Sequence, residues 1–423
     1  MPENAYFEKA LEVGRPPNIV QLFPNSEALL VSGKVVDRAL EAKGKALTIA
    51  ANGRSHLVIR GALIAAQKAD AAIIIEIARS ECTYCPTNFY NVARQVDALC
   101  NELGVRVPVA IHADHYGIKS EADIPFAKVE LPSMFDAGIT SVAIDASHMP
   151  DDLNLLANIE LSKYIPSWAG LETEVGEIKG TEGLSTVDDA TFLIKGLNAH
   201  GIFADWIALN NGSVHGIEES GQGIQVRHTA EIHEALKPYG VSGAQHGTSG
   251  NSSEKLRTIA ANTRTTKANV ATALQMVSWG VEVNDFGNAL LDEKGNFKKV
   301  VGKGVTEELW AKMMAYAQKN GLSGGDVKKL NLPFERDILA QPRKIRERMV
   351  ADVADFTYNL LTNVFNAEGT GTIACKMLVE TDSYDLGAKV DQIEDPAEWT
   401  KEKIIDRAKT LVVDKGPEGD FED

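Results

Sequence analysis

Four consecutive residues, His112-Ala113-Asp114-His115, close the apolar run Val107-Pro-Val-Ala-Ile111 with a carboxylate and two imidazoles. A strand that ends this way offers metal ligands at its carboxyl end. Two more histidines stand in the same setting: His215 in Asn211-Gly-Ser-Val-His-Gly216 follows Trp206-Ile-Ala-Leu209, and His246 in Gln245-His-Gly-Thr-Ser-Gly250 follows Val241-Ser-Gly-Ala244. Neutral imidazole suits Zn²⁺, and three protein ligands with one open position make a catalytic site rather than a structural one. The pattern points to a metal-dependent enzyme.

The elements that must position these groups are short apolar runs alternating with longer segments of helical period, the pattern of βα units and a parallel sheet. Eight strands are predicted, at residues 46–51, 71–77, 107–113, 140–146, 169–175, 205–209, 241–245 and 267–272. Helical segments such as His56–Lys68, Tyr90–Leu103 and Thr229–Leu236 lie between them. Eight strands close a barrel, so the predicted fold class is α/β, a (β/α)8 TIM barrel over residues 46–330. An open doubly wound sheet needs a Gly-rich turn after its first strand, and Ala51-Asn-Gly-Arg-Ser55 is not one. Residues 1–45 are predicted as an N-terminal helical extension, with an amphipathic helix over Ser26–Ala42 across one end of the barrel. Residues 331–423 are predicted as C-terminal helices and an acidic tail. Within them Pro342–Phe365 carries an apolar stripe at Ile345, Met349, Val353, Phe356, Leu360 and Val364, suited to packing on the body or on a second subunit.

Active sites of parallel barrels lie at the carboxyl ends of the strands. Asp114 and His115, Asp145, Glu172 and Glu174, His215, His246, and Asn269 with Thr272 all fall at that rim. Any one of them is more often a cap or a satisfied polar group, but polar groups are costly to bury without purpose and five successive strands supply metal-capable or acid-base groups. Gly216, Gly247, Ser249 and Gly250 place bare backbone N–H groups and a hydroxyl beside the histidines, a concavity that accepts phosphate oxygens. The loop Gly176–Ser185 flanks Glu182 with glycines and reads as a flap able to carry that acid over the site.

A net charge of -16 and a pI near 5.1 argue against nucleic acid as the main partner. No targeting segment or membrane-length apolar run stands out, which predicts a cytoplasmic protein with no membrane partner. The four cysteines make no disulfide framework, and Cys82-Thr-Tyr-Cys85 is expected to hold free thiols without a catalytic role.

Residues 46 to 275 resemble, in motif order, the zinc-dependent (class II) fructose-bisphosphate aldolases and their tagatose-bisphosphate relatives. His112-Ala-Asp114-His115 resembles the family's HxDH, Ile144-Asp145 its "ID" strand, and Leu171-Glu-Thr-Glu174-Val-Gly176 with Glu182 its acidic strand and flap. Val214-His215-Gly216, His246-Gly-Thr-Ser-Gly250 and Lys267-Ala-Asn269-Val-Ala-Thr272 match its remaining histidine motifs and phosphate strand. The resemblance implies Zn²⁺ on His115, His215 and His246, with Asp145 and Glu174 near a second or alternative metal position. It implies Asp114 as the acid-base group on the C4 oxygen and Glu182 as the group that moves the C3 proton. It also implies a monovalent cation (Na⁺ or K⁺) near the carbonyl of Gly216, and phosphate or substrate contacts from Gly247, Ser249, Asn269 and Thr272. Arg343, in Gln341-Pro-Arg-Lys344, resembles an arginine that reaches the distal phosphate from a neighbouring subunit, and a homodimer or higher homo-oligomer is expected.

The chain departs from the common pattern at four places. Ala78 stands where the family commonly has Ser, Glu219 where a Lys often follows the His-Gly pair, and Ala271 and Ala273 where the phosphate strand usually carries acids. These changes leave the metal chemistry intact and bear on the sugar. Fructose 1,6-bisphosphate leads, to be cleaved to triose phosphates. The alternatives are tagatose 1,6-bisphosphate or another phosphorylated ketose and, more distantly, a metal-dependent hydrolase or a non-catalytic barrel.

Overall fold

A computed structural model describes residues 5–176, 183–212, 223–248, 251–284, 287–293 and 295–411. Its strands are β1 (Leu30–Val31), β2 (Thr48–Asn52), β3 (Ile73–Ala78), β4 (Val109–Gly117), β5 (Ser141–Asp145), β6 (Gly170–Val175), β7 (Trp206–Leu209), β8 (Ser242–Gln245) and β9 (Thr265–Val270). Every pairing between them is parallel. Strands β2 through β9 pair in sequence, β9 returns to β2, and the eight close a ring with helices between them, which is the expected (β/α)8 barrel. Strand β3, Ile-Ile-Ile-Glu-Ile-Ala, shows why: β-branched residues fill both faces of a strand buried between barrel interior and outer helices.

The expected helix over Ser26–Ala42 starts later, at Gly33. Leu30 and Val31 instead pair with Val109 and Ala110 of β4, below the point where β5 joins that strand at His112. Ser32 then caps the helix, its Oγ accepting the N–H of Lys34. The helix Gly33–Lys43 lies against the amino-terminal end of the barrel. A side chain at Gly33 would put its Cβ within 2.8 Å of Ser141 Cβ, so only glycine permits this approach.

Beyond β9, Glu307–Lys319 is helical, and the striped segment forms the helix Arg343–Asn359 followed by one π turn, Leu360–Val364. Its stripe packs on the body: Met349, Val353, Leu360 and Val364 are buried. One apolar cluster runs from Phe7 to Leu378, and another joins Trp310 to Phe334 and Ile338. The division into 1–45, 46–330 and 331–423 therefore stands as a proposal about chain order, since packing crosses both boundaries. Among the described residues no helix is long and apolar enough to cross a membrane.

Candidate active site

Alternation along a strand sends neighbouring side chains to opposite faces, yet Asp114 and His115 both serve the barrel mouth. The pairing of β4 with β5 explains this. Ala113 is opposite Val142 and Tyr116 is opposite Ile144, so two residues of β4 face one of β5. This bulge places His115 at φ +42°, a left-handed backbone unusual for a residue with a side chain. Asp114 keeps its place opposite Ala78, and the bulge swings His115 toward β5 and β6.

There His115 Nδ1 lies 3.2 Å from Glu174 Oε1 and 3.5 Å from Asp145 Oδ2. Its ring meets that of His246 edge to face, with centroids 4.3 Å apart. His246 stands just past β8, and Gly247 at φ +57° lets the chain turn away immediately after it. Asn211 Nδ2 donates to Gln245 Oε1 (2.8 Å), and Asn251 Nδ2 donates to the carbonyl of Gly247 (3.2 Å), which braces the turn. His246 Nε2 lies 2.8 Å from Glu172 Oε1, and its Nδ1 lies 3.7 Å from Glu174 Oε2.

Asp114 accepts from Asn269 Nδ2 at 3.0 Å and from Lys267 Nζ at 3.4 Å. Burial pushes its carboxyl up, but the imidazole of His115, then Lys267 and His246, outweigh burial and hold it below the usual carboxylate range. Asp145 is likewise held low: burial raises it, and its contact with His115 prevails. Glu174 is pushed up by burial and by the neighbouring charge of Asp145. Thr272 opens the helix Thr272–Trp279 and accepts a bond from Arg54 Nη1 at 3.4 Å.

The structure thus brings together Asp114, His115, Asp145, Glu174, His246 and Asn269 at one end of the barrel, with Thr272 and Gly247 on the adjoining turns. Glu182, His215, Gly216 and Ser249 lie outside the described residues, as do Glu219 and Gly250. Arg343 is not at the mouth of its own barrel. It begins the outer helix, is largely exposed, and pairs with Glu347 at 2.7 Å beside a surface groove that it lines with His56, Arg60 and Arg346.

The sequence placed Glu172 at the rim and offered His112 as a ligand, but the structure sets both beneath the mouth, with Lys267 and Glu76, to which no role was assigned. Lys267, Glu76, Glu172 and His112 fill the barrel interior and are fully buried. Lys267 Nζ lies 2.8 Å from Glu172 Oε2 and 3.2 Å from Glu76 Oε2. Burial pushes Glu76 well up, reinforced by Asp114, while Glu172 is held well down because Lys267 and the two histidines outweigh its burial. The signal was a single charged residue inside each of two otherwise apolar or small-residue strands. Arg54 and Glu81 were also missed. They pair in the corner between β2 and β3, where Glu81 Oε2 also accepts from Asn52 Nδ2 and the N–H of Ala78, each at 2.9 Å.

A divalent metal fits this donor set. His115, Asp145 and Glu174 each present a ligand atom within 4.8 Å of the others, and so do Asp114, His115 and His246. Glu174 Oε1 is buried and faces the imidazole of His115 without a well-aligned donor, an acceptor that a cation would satisfy.

Comparison with known proteins gives the same direction. The family model described as class-II fructose-bisphosphate aldolase matches residues 34–323. The chain is 30% identical over 224 residues to a fructose-bisphosphate aldolase of Streptococcus pneumoniae, covering 51% of this chain and 69% of that protein. Among solved structures it is similar to the YdjI aldolase of Escherichia coli K12, at TM-score 0.55 and 17% identity over 81% of this chain and 99% of that one. It is also similar to a fructose-bisphosphate aldolase of Campylobacter jejuni, at TM-score 0.54 and 18% identity over 81% of this chain and 97% of that one. At those identities the two structures speak for the shared barrel alone.

Proposed function

The chain belongs to the class-II fructose-bisphosphate aldolase family, an aldolase and hence carbon–carbon lyase family, and from that premise we propose that it cleaves fructose 1,6-bisphosphate reversibly to dihydroxyacetone phosphate and glyceraldehyde 3-phosphate. The observation that carries this reading is the placement of Asp114. It is buried beside His115, and Asn269 Nδ2 donates to both of its oxygens at 3.0 and 3.1 Å. An ionised carboxylate in that place is a base ready to accept a proton.

In the cleavage direction the C4 hydroxyl proton passes to Asp114. The C3–C4 bond breaks as C4 becomes the aldehyde carbonyl, and the electron pair stays on the C3 side. Glu182 is proposed to deliver a proton to C3, and in the reverse direction to remove it. Zn²⁺, held in this proposal by His115, His215 and His246 with Asp145 and Glu174 at a second or alternative position, supplies Lewis-acid polarisation of the ketose carbonyl when bound. Gly216, Gly247, Ser249, Asn269 and Thr272 are proposed to hold substrate and phosphate, with a monovalent cation near the carbonyl of Gly216. Arg343 is proposed to act on the distal phosphate of a neighbouring copy in a homo-oligomer, in the cytoplasm.

A panel of ketose bisphosphates assayed for triose phosphate release, with and without chelator, tests the reading. Release from fructose 1,6-bisphosphate that chelation abolishes and Zn²⁺ restores is expected. A clear preference for tagatose 1,6-bisphosphate, which differs at C4, would assign the departures at Ala78, Ala271 and Ala273 to sugar choice. Undiminished cleavage after exhaustive chelation overturns the metal assignment.

A further inference from the structure

We propose that Lys267 is a positioning residue of this site: its ammonium, inside the barrel, fixes Asp114 on one side and, through Glu172, the ring of His246 on the other. This rests on the aldolase reading and extends it to a residue that touches neither substrate nor metal in that reading. Lys267 lies on β9 opposite Ala244 of β8, whose small side chain leaves room for the lysine within the barrel. Its side chain is fully buried. An ammonium in that position is costly unless its charge and its donors are satisfied.

The contacts divide the work between oxygens of each carboxylate. Glu172 Oε2 lies 2.8 Å from Lys267 Nζ, which leaves Glu172 Oε1 to the Nε2 of His246 at 2.8 Å. With the carboxylate ionised, that imidazole nitrogen carries the proton and donates, so the tautomer leaves Nδ1 of His246 as the lone-pair nitrogen on the side of Glu174. Asp114 Oδ1 lies 3.4 Å from the same ammonium, and Asn269 Nδ2 reaches both of its oxygens at 3.0 and 3.1 Å. One cation therefore sets the orientation of the base and of a metal-facing histidine together. Outer partners of this kind typically contribute about 10- to 100-fold to metal affinity or activity. Glu76, the third carboxylate around the ammonium at 3.2 Å, contacts neither His246 nor Asp114 at hydrogen-bond distance and serves as the internal control.

The test uses the full-length protein and two readouts: Zn²⁺ affinity, by competition with a chromogenic chelator, and cleavage kinetics after zinc loading. K267M and the double variant K267M/E76M are compared with E76Q. Replacing a buried ionic pair by apolar residues of similar volume is often neutral for stability, so the double variant guards against simple unfolding. The expected result for both Lys267 variants is about 10- to 100-fold weaker zinc binding. A fall in kcat of about 100-fold is expected with KM nearly unchanged, because the base is misplaced while the groups that hold phosphate stay where they were. E76Q is expected to keep both properties. A folded Lys267 variant with zinc affinity and kcat both within about threefold of the parent overturns the inference, on the scale of those outer-partner effects. If neither variant folds, K267Q decides: it keeps a hydrogen-bond donor and removes the charge, and parental affinity and kcat in that variant also overturn it. A parent protein that binds no divalent metal fails the proposed function itself, whereas a metal-binding, active parent with indifferent Lys267 variants fails this inference alone.

Discussion

Asp114 and His115 are adjacent in sequence and face the same site, the carboxylate 3.9 Å from the imidazole, because a bulge in β4 puts His115 at φ +42°. A regular strand would have sent one of them into the layer between barrel and helices. The bulge makes the proposed proton-transfer group and the proposed metal ligand neighbours on a rigid support, and it separates their expected losses of function.

Replacing Asp114 by Ala is expected to lower cleavage by about 10²- to 10⁴-fold, the usual contribution of a general acid-base group, with zinc content intact. Glu182→Ala is expected to lower turnover by a similar order through the other proton transfer. Hydrogen exchange between dihydroxyacetone phosphate and solvent distinguishes them, since it needs proton movement at the carbon and no bond cleavage. The Asp114 variant should keep appreciable exchange and the Glu182 variant should lose most of it. The opposite pattern means that the two roles are interchanged.

Borohydride added during turnover is expected to trap no covalent adduct. Burial alone would lower the ammonium of Lys267, but Glu172, Glu76 and Asp114 outweigh it and hold the group above its ordinary value. A lysine kept protonated in this way cannot attack a ketose carbonyl as a free amine. A stable adduct mapped by mass spectrometry to any lysine of the barrel would contradict a metal-dependent mechanism.

At the closed end of the barrel, Asp205 is buried and accepts the N–H of Leu171 at 2.9 Å. Burial pushes its carboxyl up to about 6, against the opposing pull of Lys34 and Lys389. Because the folded value lies above that of an unfolded aspartate, near 3.9, the folded state holds this proton more tightly. The associated stability is fully present below about pH 4 and is lost as pH rises through about 6. Asp205→Asn keeps a carbonyl acceptor for Leu171 and removes the charge. Its stability relative to the parent is expected to rise between pH 4 and 7, by at most about 3 kcal/mol, and then level off. Urea unfolding of both proteins across that range checks this, and a difference that stays constant with pH would reject it.

The barrel was legible in the sequence because most of its strands are short runs of apolar or small residues, buried on both faces, and all eight predicted strands appear with ends shifted by a few residues at most. That Asp114, His115, Asp145, Glu174 and His246 meet at one end of the barrel was legible for a related reason: polar groups at the ends of such runs have few structural uses. The start of the helix at Gly33 was not legible, since the apolar residues preceding it satisfy a helical stripe as well as a strand. Pairing with β4, a contact between residues about 79 positions apart, chose the strand. The bulge that turns His115 was equally hidden, because strand register is a property of two strands and not of either alone. The role of Lys267 needed the closed ring most of all. In the sequence it is a lysine opening a motif, and only closure of β9 against β2 and β8 removes it from water and surrounds it with Glu76, Asp114 and Glu172. Sequence determined which groups were present at the strand ends, through local pattern. Tertiary structure decided which oxygen faces which nitrogen, because those distances depend on strands brought together from across the chain.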